Sequence, residues 1–234
     1  MRVYFDHNAT TPLAPPVLET MTSVLRDEFG NPSSIHHFGQ RAKGILDEAR
    51  TAVADLLKAE VSEIVFTSGG TESDNFALRG VAEALEVTGR RHLIASAIEH
   101  EAVLTTFKAL ARRGWTTTLL PVDTSGIVAP EVLEAAMTDQ TALVSVMHAN
   151  NEIGTVQPVA DLARIAHARG ALFHTDAVQS VAKIPVDVRA LGADLLSLSA
   201  HKFHGPKGTG RLEAKRRAAR MREMQTREAR PGRS

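Results

Sequence analysis

The stretch SAHKFHGPKG, Ser199 to Gly208, sets Lys202 among small residues and two histidines, His201 and His204, directly after the apolar run DLLSLS. A lysine amine held in this way can attack an aldehyde and form a Schiff base. Other apolar runs end on residues suited to work beside it. FHTDAVQS puts Asp176 where its run gives out, and an acid at a neighbouring strand end can pair with a pyridinium nitrogen. TSGGTESDN, Thr67 to Asn75, leads two glycines and small hydroxyl residues into a helical pattern, which makes an anion site from backbone N–H groups and the helix dipole. EHEAV carries His100, and HANNEIGTVQP carries Asn150 and Asn151. Each of these alone has a plain structural reading. Thr71 can cap a helix with Asp74 three residues on, His100 can begin a helix, the asparagines can make turns, and a lone acid is often a cap. The glycine spacing is neither the Walker nor the dinucleotide pattern. Joint occurrence is what carries weight: lysine, acid, anion nest and imidazole are the protein parts of a pyridoxal 5'-phosphate (PLP) site. A metal site built from His174, Asp176, His201 and His204 accounts for less, because it leaves the lysine between the histidines unexplained.

The elements that must position these residues are legible as alternating patterns. Strands are expected at 63–68, 92–97, 116–122, 142–147, 171–176 and 194–199, and helices at 72–86, 101–113, 130–137 and 159–169. Two further helices, near 15–28 and 39–58, precede the first strand. Strands alternating with helices imply right-handed βαβ units, hence an α/β fold with a mostly parallel sheet flanked by helices in three layers. Apolar, non-alternating strands fit burial on both faces. Ligands of such sheets bind beyond the carboxyl ends of the strands, where the residues above fall.

Composition bounds the rest. The 234 residues are 43% hydrophobic and 23% charged, as in ordinary globular proteins, and the formal net charge is zero. That zero hides an asymmetry: residues 211–234 hold nine Arg or Lys against three Glu, while the first 210 hold 18 basic and 24 acidic residues. The absence of cysteine excludes disulfides, thiolate metal sites and a cysteine nucleophile within this sequence. MRVYFDHNATTP has no apolar leader and no run approaches the ~18 apolar residues of a membrane span, so a cytoplasmic location is expected.

In this setting YFDHNATTP, GNPSSIHHFG, FTSGGTESDN, EHEAVL, NNEIGTVQP, FHTDAVQS and SAHKFHGPKG, running in order from Tyr4 to about Gly210, resemble the cysteine desulfurases. These belong to the class V aminotransferase family of fold-type-I PLP enzymes, and the NNEIG and HTDAVQS forms look like the group serving iron–sulfur cluster assembly, the nitrogen-fixation branch included. The resemblance implies that Lys202 holds the cofactor covalently and that Asp176 pairs with its pyridine nitrogen. It also implies that Gln179 donates to the phenolic oxygen and that His100 stacks on the ring and assists proton transfer. Gly70, Thr71, Ser199 and His201 would hold the phosphate, and Asn151 would lie beside cofactor and substrate carboxylate. The implied reaction takes sulfur from L-cysteine, releases L-alanine and leaves a persulfide for an iron–sulfur scaffold protein, in a homodimer.

Departures from the pattern set further expectations. The family's sulfur-accepting cysteine and its carboxylate-binding arginine lie in a second, smaller domain, and the chain stops a little past half the family length. After Gly210, RLEAKRRAARMREMQTREARPGRS replaces the family's apolar strand, as a frameshifted or truncated reading would. The expected organisation is therefore a PLP-binding large domain at 1–210, with an N-terminal helical segment over about 1–60. A basic tail at 211–234, helical or disordered, would follow. Loss of that apolar strand is expected to leave the first strand without a partner, and the chain inactive alone. The alternatives are a non-catalytic PLP-binding remnant and another class V enzyme such as a selenocysteine lyase. Binding of nucleic acid by the tail is disfavoured, since it has no aromatic residue for stacking.

Overall fold

The computed structural model describes residues 1–215; residues 216–234, and with them most of the expected basic tail, lie outside the described part. Two helices come first, α1 (Pro15–Asp27) and α2 (His37–Leu57). Alternation then sets in with β1 (Ile64–Thr67), α3 (Gly70–Leu85), β2 (His92–Ser96), α4 (Glu101–Ala111), β3 (Thr116–Leu120), α5 (Pro130–Ala136) and β4 (Thr141–Ser145). It continues through α6 (Val159–Ala168), β5 (Leu172–Asp176), a single helical turn α7 (Val188–Leu191), β6 (Leu195–Ser199) and β7 (Gly210–Ala214).

One seven-stranded sheet results, in the order β1-β7-β6-β5-β4-β2-β3. Every pairing from β6 to β3 is parallel, and β7 is antiparallel to both of its neighbours. β2, β4, β5 and β6 are buried along their whole length, which is why they read as apolar runs without alternation. Two cores lie on opposite faces. Leu78 and Val81 of α3 with Val103, Phe107 and Leu110 of α4 cover one face. Leu57 of α2, Leu133 of α5 and Leu162 of α6 cover the other, around Phe173. Among the described residues no helix is long and apolar enough to cross a membrane. The α/β fold read from the sequence, a mostly parallel sheet between helical layers, is the fold found.

The expectation of a missing antiparallel strand is corrected by β7, which begins at Gly210 and takes in the first residues of the expected tail. Gly210 pairs with Thr67 on one side and Ser199 on the other, and Glu213 pairs with Ile64 and Leu196. β1 therefore has its partner. Pairing along both edges satisfies the backbone of a segment whose side chains read as charged. Its alternation is usable: Leu212 and Ala214 enter the core beneath α3 and α4. On the opposite face the Arg211 guanidinium stacks 4.4 Å from the centroid of the Phe66 ring, which also carries Arg50 of α2 at 4.7 Å. Glu213 is the misfit. It is 0% exposed, and neither carboxylate oxygen has a hydrogen-bond partner. Burial pushes its pKa up to about 8, so the side chain is accommodated as a neutral acid.

The N-terminal segment is packed differently. None of the residues of α1 is buried; Leu25 is 80% exposed, and Phe29 and Ile35 beyond it are 79% and 95% exposed. What holds the segment is polar. Thr11 N and Oγ1 both donate to His201 O (2.9 and 2.8 Å), and Ala14 N, at the cap of α1, donates to His204 O at 3.0 Å.

Glu213 sets a pH-dependent prediction. Below the ordinary glutamate range both folded and unfolded forms carry the proton and no penalty arises. As pH rises from there to about 8 the unfolded chain ionises while the folded chain holds its proton, so stability falls across that window by roughly 3–5 kcal/mol. Glu213→Leu should raise the thermal midpoint by roughly 5–15 °C at pH 8 and far less at pH 4. Equal gains at both pH values, measured by circular dichroism melts, would show that Glu213 is not the titrating group.

Candidate functional site

The carboxyl ends of β1, β2, β4, β5 and β6 meet at one cavity of about 650 Å³. It is lined by Lys202, Asp176, His100, Gly70, Gln179 and Asn151, among others. All nine residues singled out from the sequence for this site, Thr71, Ser199 and His201 included, line it. An adjoining hollow of about 490 Å³ is shared by Gly70, Thr71, Ser199 and His201 with Ser68 and Lys207.

The cradle follows from the turn after β1. Gly69 caps α3 without a side-chain bond, and α3 starts at Gly70, so Thr71 is inside the helix and is not its cap, as its bland reading had it. Thr67 Oγ1 and Ser73 Oγ lie 2.8 Å apart and within 3.2 and 3.1 Å of Gly69 O, so that one hydroxyl donates to the other, which donates to Gly69 O and fixes the turn. A helix start leaves its first N–H groups without intrahelical partners, and those of Gly70 and Thr71 belong to residues lining the cavity. A Cβ on Gly70 would come within 2.9 Å of Val178 Cγ2, so only glycine brings this turn so close to the loop after β5. Gly210 is tighter still: its Cβ would lie 2.3–2.5 Å from the backbone of Gly69. β7 thus begins in contact with the cradle.

The floor is a cluster of buried acids. Asp176 Oδ1 accepts from Val178 N at 2.8 Å. Burial raises the Asp176 pKa, while the Val178 N–H, His100 and Lys202 pull it back. Asp74, on α3, is forced well above the carboxylate range by burial and then by Asp176, and its Oδ1 has no hydrogen-bond partner. Glu99 accepts from Ser96 Oγ (2.5 Å) and Met147 N (2.8 Å) through Oε1, leaves Oε2 unpartnered, and is pushed by burial to about 8. His174 lies 3.6 Å from Asp74, yet this is no ion pair. Burial drops the imidazole to about 3, and its nitrogens are occupied by Ser145 Oγ (2.8 Å) and Ser197 Oγ (3.0 Å). Of the three acids, Asp176 is the one whose ionised form is aided both by a backbone N–H and by nearby cations, His100 and Lys202.

Lys202 is the last residue of a 3₁₀ turn, Ala200–Lys202, at the end of β6. Burial lowers its pKa against the pull of Asp176 and Asp6, which enlarges the fraction of free, nucleophilic amine at neutral pH. Its Nζ donates to Asn8 O (2.5 Å) and Ala9 O (3.0 Å). His100 caps α4, Nδ1 accepting from Ala102 N at 3.1 Å, and the same side chain lines the cavity. Asn150 makes a turn, its Oδ1 accepting from Glu152 N and Ile153 N, while Asn151 lines the cavity.

Sequence reasoning missed Asn8, Asp74, Glu99 and Lys183. Asp74 stood in a quoted motif but was read as a cap partner. Asn8 stood in YFDHNATTP without a role. It accepts from Lys202 and Gln179 through its backbone oxygen, accepts from Lys183 through Oδ1, and donates through Nδ2 to Asn151 O. No periodicity marks such a residue, because its partners are more than 140 positions away.

Comparison with known proteins gives consistent results. Aminotransferase class-V matches residues 3–226, which carries the likeness past Gly210, where the motifs alone stopped. A cysteine desulfurase IscS of Dictyoglomus turgidum is 53% identical over 210 residues, covering 90% of this chain and 53% of the relative. One of Methanosarcina thermophila is 50% identical, covering 90% and 52%. Among solved structures, a NifS-like protein superposes with a TM-score of 0.89 at 47% identity, covering 92% of this chain and 60% of that one. SspA in complex with cysteine superposes at 0.88 and 42%, covering 92% and 62%. The chain spans about half the length of the curated relatives it matches.

The glycine contacts yield a paired prediction. Gly210→Ala forces backbone apart at the cradle and should cost more than about 2 kcal/mol. Gly80→Ala, in α3 with open space at its Cβ, should stabilise by about 0.5–1 kcal/mol. Chemical denaturation of both variants checks this; a Gly210→Ala protein as stable as the parent would mean the contact between β7 and the cradle is loose.

Proposed function

Because the chain belongs to the class V aminotransferase family, we propose that its cavity binds pyridoxal 5'-phosphate and that it is the cofactor-binding part of a cysteine desulfurase. One observation carries this reading: Lys202, Asp176 and the glycine-led start of α3 line a single cavity. The donor set fits the cofactor, with a lysine of lowered pKa for its aldehyde, a buried acid for its ring nitrogen and a helix start for its phosphate.

In this reading Lys202 Nζ, which now donates to Asn8 O and Ala9 O, would be the group that holds the cofactor through its aldehyde. Asp176 would pair with the ring nitrogen and favour its protonated form. Gln179 donates an N–H to the phenolic oxygen. Gly70, Thr71, Ser199 and His201 surround the phosphate, whose charge the dipole of α3 offsets. His100, at the cavity wall, stacks on the ring and exchanges a proton with the substrate amine. Asn151 presents its amide to the substrate carboxylate. The bound cofactor supplies an electron sink that weakens bonds at the substrate α-carbon. With L-cysteine as substrate, the sulfur would pass to a thiol, giving L-alanine and a persulfide; an iron–sulfur scaffold protein is the proposed final acceptor, and a homodimer the proposed assembly. These 234 residues contain no cysteine, so that thiol would lie outside them. A PLP-binding chain without turnover of its own is the reading that this absence favours as an alternative.

Titrating PLP into the protein should produce an absorbance band near the visible edge that Lys202→Ala abolishes; no such band in the parent would overturn the cofactor assignment. L-cysteine alone should release neither alanine nor sulfide at a useful rate, while an added small thiol should permit release if the desulfurase reading holds. Alanine and sulfide assays with and without thiol separate the two readings.

A further inference from the structure

Lys183 belongs to neither an expected motif nor the proposed chemistry, yet it stands at the rim of the cavity. Its Nζ donates to Gln179 Oε1 at 2.6 Å and to Asn8 Oδ1 at 3.2 Å. The residue before it, Ala182, has φ 62°, a left-handed conformation unfavourable for any residue bearing a Cβ. The turn after β5 accepts that conformation immediately before Lys183.

Resting on the cofactor reading above, we infer that Lys183 is a positioning residue that fixes which way the Gln179 amide faces, so that the cavity presents an N–H donor to a ligand oxygen. An amide offers an acceptor on one side and two donors on the other, and the two orientations are nearly equal in shape. An ammonium has three donors and no acceptor, so only the carbonyl end of each amide can face it. With Gln179 Oε1 turned to Lys183, Nε2 lies on the cavity side, where one N–H reaches Asn8 O at 2.9 Å and the other remains for a ligand. The same rule acts on Asn8: with Oδ1 toward Lys183, Nδ2 reaches Asn151 O at 3.3 Å. One cation thereby orients two amides on two walls of the site. The ligand group this arrangement suits is an oxygen with acceptor character, such as a phenolate. A flipped Gln179 would meet it with a carbonyl, acceptor against acceptor.

The test uses Lys183→Met, which keeps the stem and removes the donors, and Lys183→Arg, which keeps a donor-only cation. Thermal melts establish that both fold. In the cofactor-free protein, the Gln179 side-chain amide resonance, identified by its loss in Gln179→Leu, should exchange slowly with solvent in the parent and in Lys183→Arg. It should exchange markedly faster in Lys183→Met. Unchanged exchange overturns the inference, whatever the protein binds. With PLP, Lys183→Met should weaken affinity roughly tenfold, the size of one lost hydrogen bond, and Lys183→Arg should restore it. In a Gln179→Leu background Lys183→Met should add nothing. An equal loss in both backgrounds would mean Lys183 acts as a general positive charge and would overturn the positioning role. If the parent forms no PLP adduct, the cofactor reading fails, and the amide exchange alone still decides what Lys183 does to Gln179.

Discussion

The site depends on a strand of five residues that pairs on both edges. β7 is the strand that joins β1, which ends in the cradle, to β6, which ends in the lysine loop. Gly210 lies opposite Thr67 and Ser199 at once, the last residues of those two strands. The distance between a helix start suited to an anion and an amine suited to an aldehyde is therefore set by one glycine's backbone. Chemistry that needs both groups on one ligand cannot tolerate drift between them, and two hydrogen-bonded ladders meeting at one residue restrict such drift. The cost is local and electrostatic: Glu213, three residues on, is held neutral within a core that offers it no partner.

The floor follows the same logic with the opposite sign. Three carboxyl groups and an imidazole lie at or just behind the cavity, and charging all of them in so little solvent would be prohibitive. Burial resolves the conflict by keeping Asp74 and Glu99 protonated and His174 neutral, while the backbone N–H of Val178 and the nearby cations favour the anion on Asp176. A carboxylate at so buried a position would act more strongly on a cationic ligand group than it would in water. The protonated neighbours also preserve the volume and the hydrogen-bond acceptors that their positions need.

Much of this was legible in the sequence, and the part that was not has physical reasons. Six strands and six helices announced themselves, since buried parallel strands are apolar throughout and their crossover helices carry a regular apolar stripe. The motif residues fell on strand ends because that is where the parallel sheet puts them. β7 stayed hidden because Arg211 and Glu213 mask its alternation, and pairing with both neighbours decides its conformation over its composition. The family likeness runs through β7, across residues 3–226, where the quoted motifs end near Gly210. Asn8, Lys183 and Asp74 were missed for another reason: each has a partner in a remote segment, and such contacts leave no local pattern.

α1 has a mechanical consequence. A helix of 13 residues with none buried takes little support from the sheet, so its position is the most easily altered of the longer helices. Its cap, Ala14, is tied to His204, two residues from Lys202, and Thr11 is tied to His201, one residue on the other side. A shift of α1 would therefore be felt first by the backbone on either side of Lys202, so the outermost helix and the lysine loop share one set of hydrogen bonds.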